Sequence, residues 1–223
     1  MKNIKIIILL FVSLNLFGQE NKKDAVLWTT LSLQKKLDDK SSLKLVSRAR
    51  FGDNFSHLNS YYVDIGYFYE IVNNLKVSVN YVYSPTRQTD FTYRRLHQYY
   101  ASLTYKYDLN SHWAIKSRTI FQHTSHYLFV ENGYKPYSRT NFREKLSLNR
   151  KISRRNSIYL EDEISIPVFS DQTGIRRNRL YAGFDHAINK QFTLDLFFVL
   201  QHVIHHTYPS TDFVYGFTLN YQF

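Results

Sequence analysis

The sequence predicts an all-β protein, an antiparallel transmembrane β-barrel of about 10–12 strands, and three observations support this prediction. Apolar and polar residues alternate along most of the chain, as they do in strands with one apolar and one polar face. Many alternating runs are about 10 to 14 residues long, which suits tilted strands that cross a bilayer. Short and long connections follow one another in turn, as in outer-membrane barrels.

Residues 1–18 have the layout of a secretory signal peptide. Lys2 and Lys5 form a basic start, residues 6–17 are nearly all apolar, and a polar segment follows Gly18. Because the apolar run is short for a membrane anchor, the pattern favours a signal peptide over an anchor helix. We therefore expect export, cleavage after Gly18 and a single barrel domain over residues 19–223.

Composition narrows the classes of protein further. The 223 residues include no Cys, which excludes disulfides, thiolate metal sites and Cys nucleophiles. A mean hydropathy of −0.40 excludes a polytopic helical membrane protein. Lys and Arg total 29 against 18 Asp and Glu, a formal net charge of +11. Since the basic residues are spread through the strands, we expect them to face the lumen or the phosphates of lipopolysaccharide rather than a nucleic acid.

The alternation is clearest in the last segment of the chain. One face carries Phe213, Tyr215, Phe217, Leu219, Tyr221 and Phe223. Aromatic residues also lie near the ends of other apolar faces, as in the aromatic girdles of membrane barrels. These girdle candidates are Trp28, Tyr61, Tyr83, Tyr107, Trp113, Tyr215 and Phe223.

Turn-forming residues predict the connections. Short turns are expected at 38–40, 73–74, 109–111, 153–156 and 189–190. Longer loops are expected near 52–59, 84–93, 127–138, 169–176 and 203–212. The four prolines, Pro85, Pro136, Pro167 and Pro209, fall in these loops or at the loop end of a strand, so none interrupts the middle of a strand.

The strand count raises a specific question. The pattern gives about 11 strands, whereas bacterial barrels normally have an even number. Residues 19–26 could thread the lumen or add a strand, the segment 25–37 could pack inside the lumen, or one hairpin could be wrong. Counting back from a C-terminus on the periplasmic side would place the start of segment 25–37 outside, which is unexpected for an exported N-terminus.

Two resemblances follow from these residues. The set Tyr215, Phe217, Leu219, Tyr221 and Phe223 resembles the C-terminal signal that the outer-membrane barrel assembly machinery reads. Residues 25–223 resemble a family of Gram-negative outer-membrane proteins known only as a domain of unknown function. The matching motifs are Leu27-Trp28-Thr29-Thr30-Leu31, Arg48-Ala49-Arg50-Phe51, Arg95-Leu96-His97-Gln98 and Asn178-Arg179-Leu180-Tyr181-Ala182-Gly183. This resemblance implies a barrel and supplies no activity.

The polar faces of the strands should line the lumen. Alternation assigns to this lumen a set of charged side chains, namely Lys44, Arg48, Arg50, Asp64, Lys116, Arg118, Arg143, Glu161, Glu163 and Arg179. Two interpretations stay open: a structural ladder of ion pairs that fills the barrel, or a narrow pore that favours anions. Glu144 and Asp162 break the alternation, and for them we expect a local bulge or a position near the rim.

No motif points firmly to an enzyme, so we expect no catalytic residue, cofactor or metal. A lipid hydrolase at the rim could use Ser125 with His123 or His126. The cluster His202, His205 and His206 has spacing that could bind a metal, although solvated loop histidines are the simpler interpretation. A third alternative is an adhesion or binding barrel that uses the loops at 84–93 and 127–138. The sequence leaves the oligomeric state open.

Overall fold

The computed structural model describes residues 22–88, 92–130, 133–169, 174–204 and 209–223. They form a closed barrel of 11 strands, in which each strand pairs with its neighbours in sequence. The strands are β1 (Lys22–Lys36), β2 (Ser41–Gly52), β3 (His57–Val72), β4 (Leu75–Arg87), β5 (Tyr93–Asp108), β6 (Trp113–Val130), β7 (Gly133–Lys151), β8 (Asn156–Val168), β9 (Arg177–Ala187), β10 (Phe192–Val203) and β11 (Ser210–Gln222). The predicted class and the count of 10–12 strands are confirmed.

The barrel closes through a parallel pair of strands. Lys22 of β1 lies opposite Ser210 of β11, and Gln34 lies opposite Gln222, whereas every other strand pair is antiparallel. An odd number of strands requires this geometry, because the first and last strands then run in the same direction. The alternative in which segment 25–37 packs inside the lumen is therefore wrong, since β1 is part of the wall.

The connections define two ends of the barrel. The end here called the turn end carries 37–40, 73–74, 109–112, 152–155 and 188–191. The opposite end, the loop end, lies where β2, β4, β6, β8 and β10 end and the next strands begin.

Four predicted loops are too long, including the one near 203–212, because β11 already begins at Ser210. The connection predicted near 52–59 is limited to 53–56, and the one predicted at 84–93 is limited to 88–92. The loop predicted at 127–138 is wrong, because β6 and β7 pair as far as Val130 and Gly133. Backbone pairing needs no apolar side chains, so the ladder of hydrogen bonds continues beyond the point where the apolar pattern stops.

Three prolines lie within strands. Pro85, Pro136 and Pro167 are paired opposite Arg95, Tyr127 and Asn141. The predicted loop positions of Pro85 and Pro136 are therefore wrong, whereas Pro167 lies at the loop end of its strand as predicted. All three lie close to the loop ends of their strands. A missing N–H at the end of a strand removes a bond from the edge of the ladder and leaves its centre intact.

The barrel carries apolar side chains on its outer surface and polar side chains inside, the reverse of a soluble protein. Ile65 is 52% exposed and Leu160 is 58% exposed on the outside, whereas Asn80, Gln122 and Ser147 are buried inside. Further exposed apolar residues on the strands are Leu31, Leu45, Val63, Val79, Leu103, Phe121, Leu196 and Phe217. A continuous apolar outer surface of this kind is typical of contact with lipid.

No helix in the described part of the chain is long and apolar enough to cross a membrane.

A small apolar core lies inside the barrel beside the β1–β11 seam. It consists of Val26, Trp28, Val199 and Val214, with Phe197 packed against it. Trp28 is only 3% exposed, so its predicted place in the outer girdle is wrong. Of the other girdle candidates, Tyr61, Tyr107, Tyr215 and Phe223 are exposed, and Tyr83 and Trp113 are half-buried.

Two glycines allow aromatic rings to lie flat against the inner wall. A Cβ atom at Gly183 would lie 2.1 Å from Cζ of Tyr159, and one at Gly216 would lie 2.1 Å from Cζ of Phe197. Each ring belongs to the residue directly opposite on the next strand. The absence of a side chain at these positions therefore lets bulky residues pack within a narrow lumen.

Glu144 and Asp162 lie on the outer face in unbroken register. The β7–β8 ladder has no bulge, and both residues lie well inside their strands, so the expectation of a bulge or a rim position is wrong. Both carboxylates are instead compensated by hydrogen bonds. Ser117 and Thr119 each donate to Glu144 at 2.6 Å, and Asn178 Nδ2 donates to Asp162 at 2.6 Å. These bonds lower the free-energy penalty of placing a carboxylate on the apolar side.

Candidate functional site

Two cavities in the described part of the barrel interior have strongly charged walls. A central cavity of about 410 Å³ lies in the middle of the barrel, and a cavity of about 990 Å³ lies towards the turn end. Lys44, Phe68 and Arg118 line both. The space inside the barrel is therefore bounded by charged side chains at the point where the two cavities meet.

The ten charged residues assigned to the lumen by alternation all lie on these cavity walls. Lys44, Arg48, Arg50, Asp64, Arg118, Arg143, Glu161, Glu163 and Arg179 line the central cavity. Lys116 lines the cavity at the turn end. Arg139 also lines the central cavity and was missed, because it adjoins the segment wrongly predicted as a loop. If β7 is taken to begin at Gly133, alternation places Arg139 on the same inward face as Arg143.

Glu163 is the centre of the ion pairing in the lumen. Its two carboxylate oxygens accept hydrogen bonds from Arg143 Nη2 at 2.8 Å and from Arg179 Nη1 at 3.1 Å. Gln122 and Gln201 accept further bonds from the same two guanidiniums. Three separate ion pairs lie elsewhere on the cavity walls: Lys145 with Glu161, Lys76 with Glu70 and Lys106 with Asp108. A ladder of ion pairs therefore exists, but it is short.

Most cations of the lumen lack such a partner. Asp64, another acidic residue of the central cavity wall, is bound by Asn80 Nδ2 at 3.0 Å and by the Tyr100 hydroxyl at 2.7 Å rather than by a cation. Away from the turn-end rim, seven lumen cations form no ion pair with a described residue: Lys44, Arg48, Arg50, Lys116, Arg118, Arg139 and Arg177. Arg150 and Lys151, which line the turn-end cavity at the end of β7, are also unpaired there. The lumen therefore carries an excess of positive charge.

Aromatic rings support several of these cations. The guanidinium carbons of Arg48 and Arg50 lie 5.0 Å and 4.6 Å from the centre of the Trp28 ring. The Tyr62 ring lies 5.2 Å and 4.9 Å from the same two groups. Trp28 and Tyr62 were missed as lumen residues. Alternation could have identified Trp28 as a lumen residue, because it follows the outward Leu27 and shares its face with the inward Thr30.

The residues proposed for a hydrolase are not assembled for catalysis. His123 Nδ1 lies 3.0 Å from the Thr140 hydroxyl, and Arg94 Nη1 donates to His126 Nε2 at 3.2 Å. No hydrogen bond joins Ser125 to either histidine in the described structure. Ser125 and His126 are adjacent on one strand, so their side chains point to opposite faces of the wall.

The proposed histidine cluster is only partly described. His202 is buried, and its Nδ1 lies 3.0 Å from the Thr211 hydroxyl. His205 and His206 lie outside the described residues. Among those residues that are described, no three His, Asp or Glu side chains are placed to hold a metal ion.

The predicted assembly residues share the outer face of β11. Tyr215, Phe217 and Phe223 are exposed, and Leu219 and Tyr221 are half-buried. The Tyr221 ring lies between its neighbours, 4.6 Å from Phe192 and 4.5 Å from Phe223. The C-terminal strand therefore presents its aromatic row outward at the turn end.

Comparison with known proteins agrees with a barrel. The fold is similar to that of a NanC porin, with 7% sequence identity, a TM-score of 0.50, and coverage of 81% of this chain and 87% of that chain. It is also similar to the β domain of the Bordetella autotransporter Brka, with 12% identity, a TM-score of 0.49, and coverage of 84% and 86%. The first similarity shows a porin-like barrel fold.

No curated protein matches the chain at a significant level. Residues 25–211 match the profile of one family, described as a protein of unknown function, DUF2490. The resemblance predicted from the sequence motifs is therefore confirmed. Because the match spans most of the chain, this protein belongs to the DUF2490 family.

Proposed function

We propose that this protein lies in the outer membrane and acts as a narrow, non-enzymatic pore that favours anions. The observation that carries the proposal is the set of seven lumen cations without an ion-pair partner in the described structure. Positive charges on the walls of a narrow lumen raise the local concentration of anions and repel cations.

The outer surface supports the proposed location. Large apolar side chains such as Ile65, Val79 and Leu160 are exposed around the barrel, where water would be an unfavourable solvent. The predicted signal peptide over residues 1–18 agrees with export. The similar NanC barrel is a porin by its own description.

A purely structural role for the charges is less well supported. A ladder that only fills the barrel would pair its cations, because isolated charges away from water are costly. Glu163 and Glu161 together hold three cations, Arg143, Arg179 and Lys145. At the turn end, Lys76 and Lys106 pair with Glu70 and Asp108. The seven unpaired cations instead border the cavities and have no carboxylate partner among the described residues.

Reversal potentials test the proposal directly. The barrel of residues 19–223 is refolded in detergent, its folding is checked by heat-modifiable gel migration, and single-channel currents are recorded under a KCl gradient. We expect discrete steps and a reversal potential of the sign given by chloride selectivity. A folded barrel that gives no steps, or that prefers potassium, would overturn the proposal.

Two variants sharpen this experiment. Lys44→Gln and Arg118→Gln remove unpaired charges where the two cavities meet, so each should reduce the chloride preference. Lys35→Gln is the matched control, because Lys35 is an exposed cation at the turn end that lines neither lumen cavity. Equal effects of all three variants would argue for a general charge effect instead of a lumen filter.

A further inference from the structure

Three arginines converge on one tryptophan inside the barrel. Arg48 and Arg50 extend from β2, and their guanidiniums lie between Trp28 of β1 and Tyr62 of β3. Arg179 reaches the same Trp28 ring from β9, with its guanidinium carbon 5.4 Å from the ring centre. We call Arg48, Arg50 and Arg179 the arginine triad.

Some guanidinium N–H groups of the arginine triad have no hydrogen-bond acceptor in the described structure. Arg48 Nε donates to the Thr30 hydroxyl at 2.8 Å, while Arg50 Nε is buried and has no partner. Neither Arg48 nor Arg50 forms an ion pair with a described residue. Only Arg179 is compensated, by Glu163 at 3.1 Å. Two of the three guanidiniums therefore have no carboxylate partner among the described residues, and the carboxylate that binds the third also binds Arg143.

The aromatic rings hold these like charges close together without neutralising them. A guanidinium over an indole or phenol ring gains cation–π attraction, which offsets part of the repulsion between neighbouring arginines. The rings also restrict the rotation of the side chains, so the planar donor forks are ordered before any ligand arrives. A rigid group of unneutralised guanidiniums is a recognition element for an anion.

We propose that the arginine triad binds phosphate, either as the free ion or as a small phosphate monoester. A tetrahedral dianion offers oxygens in several directions and can accept from guanidiniums on two walls at once, whereas a planar carboxylate offers two oxygens. The central cavity of about 410 Å³ has room for a phosphate group with a small substituent.

This inference deepens the proposed pore by naming the anion, and rests on that function for entry of the anion into the lumen. Binding and conduction are nevertheless separate measurements. Phosphate binding by a barrel that carries no current would leave the triad site standing and overturn the pore. Anion-selective currents without phosphate binding would leave the pore standing and overturn the site.

Isothermal titration of the folded barrel in detergent tests the site. Inorganic phosphate, glucose 6-phosphate and acetate are titrated at neutral pH and constant chloride concentration. We expect saturable binding of at least one phosphate probe, at least tenfold tighter than acetate, which corresponds to about 1.4 kcal/mol. A response to inorganic phosphate alone indicates the free ion, and a tighter response to the ester indicates a monoester. Equal binding of acetate would overturn the proposal.

Variants assign the binding to the triad. Arg50→Gln should weaken phosphate binding at least tenfold, and Arg50→Lys should weaken it severalfold, because a lysine keeps the charge and loses the planar fork. Lys35→Gln, on the outer surface, should bind as the wild type does. Heat-modifiable gel migration confirms that each variant is folded. Unchanged phosphate affinity in a folded Arg50→Gln barrel would overturn the assignment.

Discussion

Arg143 donates a hydrogen bond to Glu163 across the inner wall, with 2.8 Å between Nη2 and Oε2. The other carboxylate oxygen of Glu163 accepts from Arg179. Glu163 is 3% exposed, so it cannot exchange these partners for bulk water without opening the lumen. One carboxylate therefore compensates two guanidiniums that the barrel wall brings together.

Glu163→Gln should destabilise the barrel and increase its preference for anions. The substitution keeps the shape of the side chain and removes the charge, which leaves Arg143 and Arg179 without an ion-pair partner. Breaking one side of a buried pair of this kind costs about 3 kcal/mol. The free energy of unfolding in urea, with the detergent held constant, measures the first effect, and the reversal potential measures the second.

Asp195→Asn is the matched control for Glu163→Gln. Asp195 also lines the central cavity, but its partner is the Tyr159 hydroxyl at 2.9 Å rather than a guanidinium. We expect a smaller loss of stability from this variant than from Glu163→Gln. Equal losses would mean that the two arginines gain nothing specific from Glu163.

On the outer face, removing a carboxylate should raise the stability of the barrel, the opposite of the effect expected for Glu163→Gln. Glu144 lies on the lipid-facing side, where a carboxylate is unfavourable even when Ser117 and Thr119 donate to it. Glu144→Leu should therefore stabilise the refolded barrel by about 1 kcal/mol, since the two hydroxyls can rotate to backbone carbonyls. Leu160→Glu, which adds a carboxylate to the same face, should destabilise it by about 1–2 kcal/mol.

These two variants are compared by urea unfolding in lipid vesicles, which keep the outer face in an apolar solvent. A loss of stability in Glu144→Leu would contradict the prediction. It would show that the hydrogen bonds to Glu144 are worth more than the transfer of its charge out of lipid.

The sequence was sufficient to assign faces but not to assign partners. A period of two residues placed Ile65 and Leu160 outside and Arg48 and Glu163 inside, because neighbours along a strand must point to opposite sides. Glu163 lies directly opposite Lys145 and Arg179 in the two ladders. Nevertheless it pairs with Arg179 and, diagonally, with Arg143, since the choice among close cations depends on side-chain reach and strand twist.

Two further features could not follow from alternation. A period of two is the same for a strand read in either direction, so it cannot show that β1 and β11 run parallel. Trp28 is an aromatic residue on the polar, inward face of β1. Its residue type suggested the outer girdle, although its position in the alternation indicated the lumen. For Trp28, the position in the alternation predicted the face correctly and the residue type did not.

The parallel seam can be tested by cross-linking, because the chain has no native Cys. Lys23 lies opposite Thr211 near the loop end, and Ser32 lies opposite Asn220 near the turn end. Cysteines introduced in either pair should cross-link with a short bifunctional reagent in the folded barrel. Mixed pairs, Lys23 with Asn220 and Ser32 with Thr211, should not cross-link. An antiparallel closure would reverse this result for the mixed pairs.

The turn at 37–40 should respond to acid. The Ser41 hydroxyl and the backbone N–H groups of Lys40 and Ser41 donate to Asp38, and these bonds hold the pKa of its carboxyl below the usual value. A pKa that is lower in the folded state means that the bonds stabilise the turn above the unfolded pKa of about 3.9. This contribution is lost as the pH falls through the folded pKa.

Amide resonances of Lys40 and Ser41 report the titration of Asp38 in isotope-labelled protein. Both should shift together as the pH falls through the lowered pKa of the folded Asp38 carboxyl. In Asp38→Asn the acid-dependent shift should disappear, because the side chain no longer ionises. A titration that persists in Asp38→Asn would assign it to another group.

Phe223 should matter more for assembly in the cell than for stability. Its ring is 61% exposed and contacts Tyr221 at 4.5 Å, while its backbone N–H donates to the Gln34 carbonyl at 2.9 Å. We propose that the outward row that ends at Phe223 is read by the barrel assembly machinery. Phe223→Ala should therefore lower the yield of folded barrel in cells severalfold, while the backbone bond and the refolded stability persist. Phe169→Ala is the control, because Phe169 is an aromatic residue at the loop end that is even more exposed. Quantitative gel analysis of outer-membrane fractions measures the yield, and equal yields of the two variants would contradict a role for Phe223 in recognition.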